Sequence, residues 1–178
     1  MKIKILLLFT LSALVFASCS KDDETDTLWK EANEAAFAKT ATSSEYKTIE
    51  SESKNGSIAY KVIESGDGKT PLYNDKVLVH YTGWFKRYDW NKNDKYTNED
   101  GITVNNKYTF DTTAIQGFPR DFRVSQVVDG FSTALQYMKV GDKWEVWIPW
   151  KLGYGEKGYN DIPAHTTLVF ELELLEIL

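Results

Sequence analysis

One cysteine, Cys19, stands in a chain of 178 residues, so no intrachain disulfide can form. That thiol and two histidines build no cluster with metal-ligand spacing, and neither a phosphate-binding loop nor a dinucleotide fingerprint occurs, so no cofactor is expected. Internal repeats are also missing. The longest apolar run, from Ile5 to Ala17, falls well short of the roughly 20 residues that a membrane-spanning helix needs. Basic side chains are outnumbered, 21 Lys and Arg against 26 Asp and Glu, for a net charge of −5. Such a chain suits phosphate backbones poorly, and nucleic acid is not an expected partner. Its length bounds one domain with extensions.

The N-terminus "MKIKILLLFTLSALVFASC" has two lysines, an apolar run and then small residues, the layout of a secretory leader. "FASC" is similar to the bacterial lipoprotein cleavage box, with Phe16 where Leu is usual. That likeness implies a leader over 1–18 and a mature chain beginning at a diacylglycerol-bearing Cys19. The alternative is an ordinary leader cut nearby, with Cys19 incidental. "SKDDETD" reads as a solvated tether, since a charge run buries nothing. It is also similar to the signal that exports some lipoproteins to the outer face of the outer membrane. Together these imply an extracytoplasmic protein held by lipid in the outer membrane of a Gram-negative bacterium.

"DTLWKEANEAAFAKTAT" (26–42) predicts one short helix, with Leu28, Ala32, Ala35 and Ala36 at helical spacing and Trp29 and Phe37 as anchors. The polar "SSEYKTIESESKNGS" after it has no sustained pattern and reads as a linker. From Ile58 the period becomes two. Val77, Val79 and Tyr81 share a face opposite Leu78 and His80; Trp144, Val146 and Ile148 share another; Leu168, Phe170, Leu172 and Leu174 share a third. These predict an antiparallel sheet with one buried face. Phe131, Leu135 and Met138 fall at helical spacing before Gly141, so one short helix packs on the sheet and the class is α+β.

"VHYTG", "FDTT", "FRVSQVVDGFSTAL", "MKVGDKWEVWIP", "GYGEKG" and "IPAHTTLVFELELL" occur in the order and spacing of the FKBP family of peptidyl-prolyl isomerases, and the chain from about Ile58 to Leu178 resembles it. The resemblance implies a five-stranded antiparallel sheet curled around one short helix, preceded here by an N-terminal helical extension. It implies a domain at 58–178 after a lipidated acidic tether and short helix at 19–57. It also implies catalysed rotation about X-Pro bonds, a reaction that needs no nucleophile. Proline-containing polypeptides are the implied partners, and macrolides of the tacrolimus or rapamycin type the implied ligands.

Carried over residue by residue, the resemblance implies a pocket with Tyr81, Phe110, Asp111, Tyr154 and Ile162 as catalytic residues. Val127, Val128 and Phe170 complete its walls and Phe131 its floor. The Ile162 N–H and the Tyr154 phenol are expected to meet substrate carbonyls. Alternate aromatics are more often plain core, and for Val127 and Phe170 taken alone that reading is the better one; His165 is expected to be structural.

Three departures stand out. Phe131 replaces the usual tryptophan floor, Arg120 takes an aromatic wall position and is expected to leave that side open and polar, and a long insert separates Gly83 from Phe110. The insert, a hairpin at about 86–106 turning near "NEDG", is either packed on itself through Trp84, Phe85, Tyr88, Trp90 and Tyr96 or an extra surface for clients or glycans. The alternatives to an isomerase are therefore a polypeptide-binding chaperone module of low activity and a surface glycan-binding lipoprotein. The N-terminal helix is short beside the dimerising helices of some relatives, so a monomer is expected.

Overall fold

The computed structural model describes residues 21–115 and 117–178; Cys19, the leader and the cleavage box lie outside the described residues. Strand β3 (Lys76–Lys86) buries Val77, Val79, Tyr81 and Phe85 at period two. Strand β9 (Leu168–Ile177) lies antiparallel to it, and β8 (Lys143–Ile148) lies antiparallel to β9. The inward residues of these strands, Ile148, Leu168, Leu172 and Leu174 among them, are free of solvent. Each such aliphatic side chain stabilises the fold by about 1.5–3 kcal/mol relative to an exposed position. Helix α2 (Asp129–Leu135) fills the concave face, with Gly130 through Leu135 buried. A Cβ on Gly130 would lie 2.4 Å from the Ile148 side chain, so only glycine lets the helix approach the sheet this closely.

The sheet has more strands than the resemblance implies. Strand β2 (Ser57–Glu64) pairs with β8, and β1 (Lys47–Glu50) pairs with β2. Strand β1 lies inside the segment whose polar composition reads as a linker; one apolar residue, Ile49, is buried and backbone pairing supplies the rest. Strands β6 (Lys107–Thr112) and β7 (Arg120–Arg123) share the far edge of β3. The result is a seven-stranded antiparallel sheet, with β4 (Lys95–Thr97) and β5 (Thr103–Asn105) as a separate hairpin in the insert that turns at Asn98–Gly101.

Helix α1 (Lys21–Ala41) starts earlier than its pattern predicts and takes in the acidic run that reads as a tether. Its docking face is rotated as well. Leu28 is 60% exposed, and Ala32 and Ala35 face solvent, whereas Trp29, Asn33 and Phe37 meet the domain. Asn33, 0% exposed, is the centre of that face. Its Oδ1 accepts from the Thr167 N–H at 2.8 Å and from the Trp90 indole at 3.2 Å, and its carbonyl accepts from the Thr167 hydroxyl at 3.0 Å. One amide thus joins α1, the insert and the start of β9. Trp29 adds an indole bond to the Ala164 carbonyl at 2.9 Å and an edge contact with Phe85.

The insert is packed mainly against the rest of the protein. Trp90 leans on Trp84 and Trp147, and these two flank Val169, which is fully buried, so part of the second face of the sheet is covered too. Buried Asn106 braces the loop through bonds to Tyr88, Asp89 and Asn93. Among the described residues no helix is long and apolar enough to cross a membrane.

Replacing Asn33 with leucine would strand the buried Thr167 N–H, worth about 1–3 kcal/mol when unsatisfied, and release the partly buried Trp90 indole. Asn33→Leu is expected to lower unfolding free energy by about 2–3 kcal/mol in urea melts. A melt superimposable on wild type would show that α1 is dispensable to the domain.

Candidate functional site

Strand β3 changes its edge partner at Tyr81. Lys76–Val79 pair with β7, Thr82–Lys86 pair with β6, and the chain between β6 and β7 loops away from the edge in between. Thr113 binds the Tyr81 backbone from that loop: its hydroxyl accepts from the Tyr81 N–H at 3.0 Å, and its own N–H donates to the Tyr81 carbonyl at 2.9 Å. Asp111 near the end of β6 and Arg120 at the start of β7 are thereby brought to the same side chain. The Tyr81 phenol donates to Asp111 Oδ2 at 2.5 Å and accepts from the Arg120 guanidinium at 2.7 Å, while Arg120 also reaches Asp111 Oδ2 at 3.0 Å. Arg120 thus makes that side polar, as its sequence position suggests, and reaches both groups because a carboxylate and a phenol oxygen lie within range of one guanidinium.

One residue pair further along β3, Gly83 leaves room that a side chain would fill: a Cβ there would lie 2.6 Å from both Phe110 and Phe170. Its absence lets these rings meet edge to face at 5.5 Å. Phe131, at the N-terminal turn of α2, meets Phe170 at 5.1 Å and Tyr81 at 6.0 Å, both edge-on. The rings enclose a cavity of about 370 Å³ lined by Tyr81, Phe110, Asp111, Val127, Val128, Phe131, Tyr154 and Phe170. Phe122, Gln126 and Tyr159 line it as well. The spacing of Phe122 two residues before buried Val124 signalled an inward strand position; nothing in the sequence marked Gln126 or Tyr159.

Ile162 lies outside that cavity. It lines a neighbouring one of about 350 Å³, bordered also by Tyr108, Asn160 and Asp161, that shares Phe110, Asp111, Tyr154 and Tyr159 with the first. Its N–H, expected to face a substrate carbonyl, instead donates to the Tyr159 carbonyl at 2.9 Å, and the Tyr159 N–H returns the bond. Asn160 allows this tight turn by adopting φ +49°, a conformation Asn tolerates better than most residues. The turn is tied to β6 by the Tyr108 hydroxyl bonding Asp161 at 3.1 Å, and Tyr159 stacks on Tyr154 at 5.1 Å. His165 packs edge-on against Trp150 at 4.7 Å.

Burial holds the phenols of Tyr81 and Tyr154 above the ordinary tyrosine range, with the hydrogen bond to Asp111 adding to the effect on Tyr81 and the nearby Tyr159 to that on Tyr154. Both are neutral donors at neutral pH. The Tyr154 hydroxyl has no protein partner among the described residues, and the Val128 N–H has no acceptor among them either. Asp111 is engaged by both a phenol and a guanidinium. The arrangement can surround an apolar group, donate hydrogen bonds to carbonyl oxygens beside it and exclude water. It holds no activated nucleophile.

Comparison with known proteins agrees with this geometry. Residues 68–175 match the family described as FKBP-type peptidyl-prolyl cis-trans isomerase. The FKBP-type 22 kDa peptidyl-prolyl cis-trans isomerase of Escherichia coli strain K12 is 40% identical over 127 residues, which is 71% of this chain and 52% of that protein. The outer membrane protein MIP of Legionella longbeachae is 36% identical over 121 residues, 67% of this chain and 44% of that one. The crystal structure of a peptidyl-prolyl cis-trans isomerase from Pseudomonas syringae superimposes with a TM-score of 0.64 at 28% identity, covering 85% of this chain and 94% of that one. The chain spans about half the length of the curated relatives it matches. With the family's sequence pattern, its curled sheet and its aromatic cavity all in one chain, the protein belongs to the FKBP-type peptidyl-prolyl cis-trans isomerases.

Proposed function

We propose that the protein catalyses cis-trans rotation about X-Pro bonds of extracytoplasmic polypeptides, with the prolyl ring seated in the 370 Å³ aromatic cavity over Phe131. The observation that carries this reading is a cavity of rings with unpartnered donors at its wall and no nucleophile inside. The barrier to be lowered is about 18–20 kcal/mol and reflects amide resonance. As the bond twists, conjugation is lost and the amide becomes less dipolar, so an apolar enclosure disfavours the planar state more than the twisted one. Lowering the barrier by about 6 kcal/mol accelerates the step by roughly 10⁴-fold.

In this reading the Tyr154 hydroxyl and the Val128 N–H donate to substrate carbonyls, the latter taking the place expected of Ile162. Asp111 borders the twisting bond, oriented by Tyr81 and Arg120. Tyr81, Phe110, Val127 and Phe170 shape the enclosure. Macrolides of the tacrolimus or rapamycin type would occupy the same cavity and compete with substrate. Lipid attachment at Cys19 would place the domain at a membrane, a reading supported by the sequence pattern there and by a relative named as an outer membrane protein.

Because both phenols are held above their ordinary range, they stay protonated through neutral and mildly alkaline conditions. Turnover of a proline tetrapeptide is therefore expected to be nearly flat from about pH 6 to 8.5, with loss from phenol ionisation appearing only above about pH 10. Tyr154→Phe and Asp111→Leu should each lower kcat/KM by about 1–2 kcal/mol in barrier terms, and Phe131→Trp should keep or raise it. A bell-shaped profile centred near neutrality would instead indicate acid–base chemistry. Membrane attachment is checked separately by alkyne fatty-acid labelling in cells: wild type should take up label and Cys19→Ser should not, whereas equal labelling of both would exclude Cys19 as the acylated residue.

A further inference from the structure

The stretch Ser125–Asp129 is a partition between two cavities. Gln126 and Val128 line the aromatic cavity, Ser125 and Asp129 line a second one of about 580 Å³ on the other side, and Val127 lines both. Ser125 and Gln126 diverge on the single 3-10 turn Val124–Gln126, and the chain then runs through extended Val127 (φ −105°, ψ 169°) into α2 at Asp129. Because Val127 borders both, the two cavities adjoin.

The far wall of this second cavity is the turn between β1 and β2, contributed by Ser51, Glu52 and Ser53. It is held in place before any ligand arrives. Ser51 is 1% exposed and donates to Asp129 Oδ1 at 2.6 Å, and the Ser53 N–H donates back to the Ser51 hydroxyl at 3.2 Å. Thr133 adds a bond to the same Oδ1 at 3.4 Å, which leaves Oδ2 of Asp129 with lone pairs for another donor. Apart from Val127 and the ring of Tyr73, the lining is hydroxyls, one amide and two carboxylates, Glu52 and Asp129, and it includes no lysine or arginine.

We infer that this cavity is a second polypeptide subsite, contiguous with the prolyl pocket, that selects a basic side chain of the client a few residues from the proline. The inference rests on the isomerase reading above. Polar walls would accept many residues, but a lysine or arginine alone satisfies the two carboxylates while meeting no like charge.

The test compares kcat/KM for hexapeptides that differ only in Lys or Glu, placed either two or three residues before the proline or the same distance after it. Measured on the purified full chain at low ionic strength, the lysine peptide should be favoured about three- to tenfold in at least one placement, the range expected for partly solvated charge pairs. The ratio should fall toward one at about 1 M salt, where the screening length is ~3 Å. Glu52→Gln should reduce the preference. Ser53→Lys, which sets a cation in the lining at the loss of the Ser53 hydroxyl's bond to Ser51 but leaves the Ser51–Asp129 pair itself in place, should reverse it. Equal rates for Lys and Glu peptides in every placement would overturn the inference, as would a preference that survives both substitutions. Absence of turnover with every peptide would instead overturn the isomerase reading itself.

Discussion

Tyr81 sits where one edge of β3 passes from one partner strand to the other, and the site is built around that change of partner. A strand edge leaves unpaired N–H and C=O groups that must be satisfied. At Tyr81 they are satisfied by Thr113 in the connecting loop, so the loop is held at the pocket rim. Asp111 and Arg120, nine residues apart, then meet across the Tyr81 phenol. Were β6 and β7 one continuous strand, ladder pairing would run through this position and the two charges could not converge. The opening of the cavity is thus a consequence of sheet pairing.

The same site is braced from behind by parts of the chain outside the FKBP-like motifs. The 21-residue helix α1 docks on a buried residue, Asn33, whose bonds fix Thr167, directly before β9. Trp29 fixes the Ala164 carbonyl, two residues beyond Ile162. The insert covers Val169 with indole rings and shares the Asn33 amide through Trp90. Trp90 therefore has a packing explanation, whereas Tyr88 is 60% exposed. Buried polar nodes of this kind are costly to break and confer one docking geometry in place of many, because an amide is satisfied only in one register.

The chemistry asks little of side-chain reactivity. Rotation about an amide needs a place where the planar state is poorly solvated and where carbonyl oxygens find donors as the bond twists. Edge-to-face rings supply the first condition, since their packing leaves an apolar concavity without requiring polar groups inside it. In the proposed reading the neutral Tyr154 phenol supplies the second, and burial keeps it neutral by disfavouring the ionised form. Glycine at position 83 is part of this design by omission, because a methyl group there would occupy the space where Phe110 and Phe170 meet.

Period-two burial in β3, β8 and β9 was legible along the chain, because inward and outward side chains alternate and each strand carries its own record of the core. The identity of most pocket residues was legible too, through motifs in family order. Other features were decided by contacts between distant segments. The docking face of α1 was misread because its centre is an asparagine, a residue that looks exposed until Thr167 and Trp90 are seen to satisfy it. Strand β1 was misread because one buried isoleucine and a row of backbone bonds leave almost no hydrophobic signature. The bonds of Arg120 to Tyr81 and Asp111 and of the Ile162 N–H to Tyr159 were not legible, since residue type at a position says nothing about which partner a guanidinium or an amide finds. Local periodicity is written in sequence; hydrogen-bond partners are chosen only when the sheet closes and brings their donors and acceptors within reach.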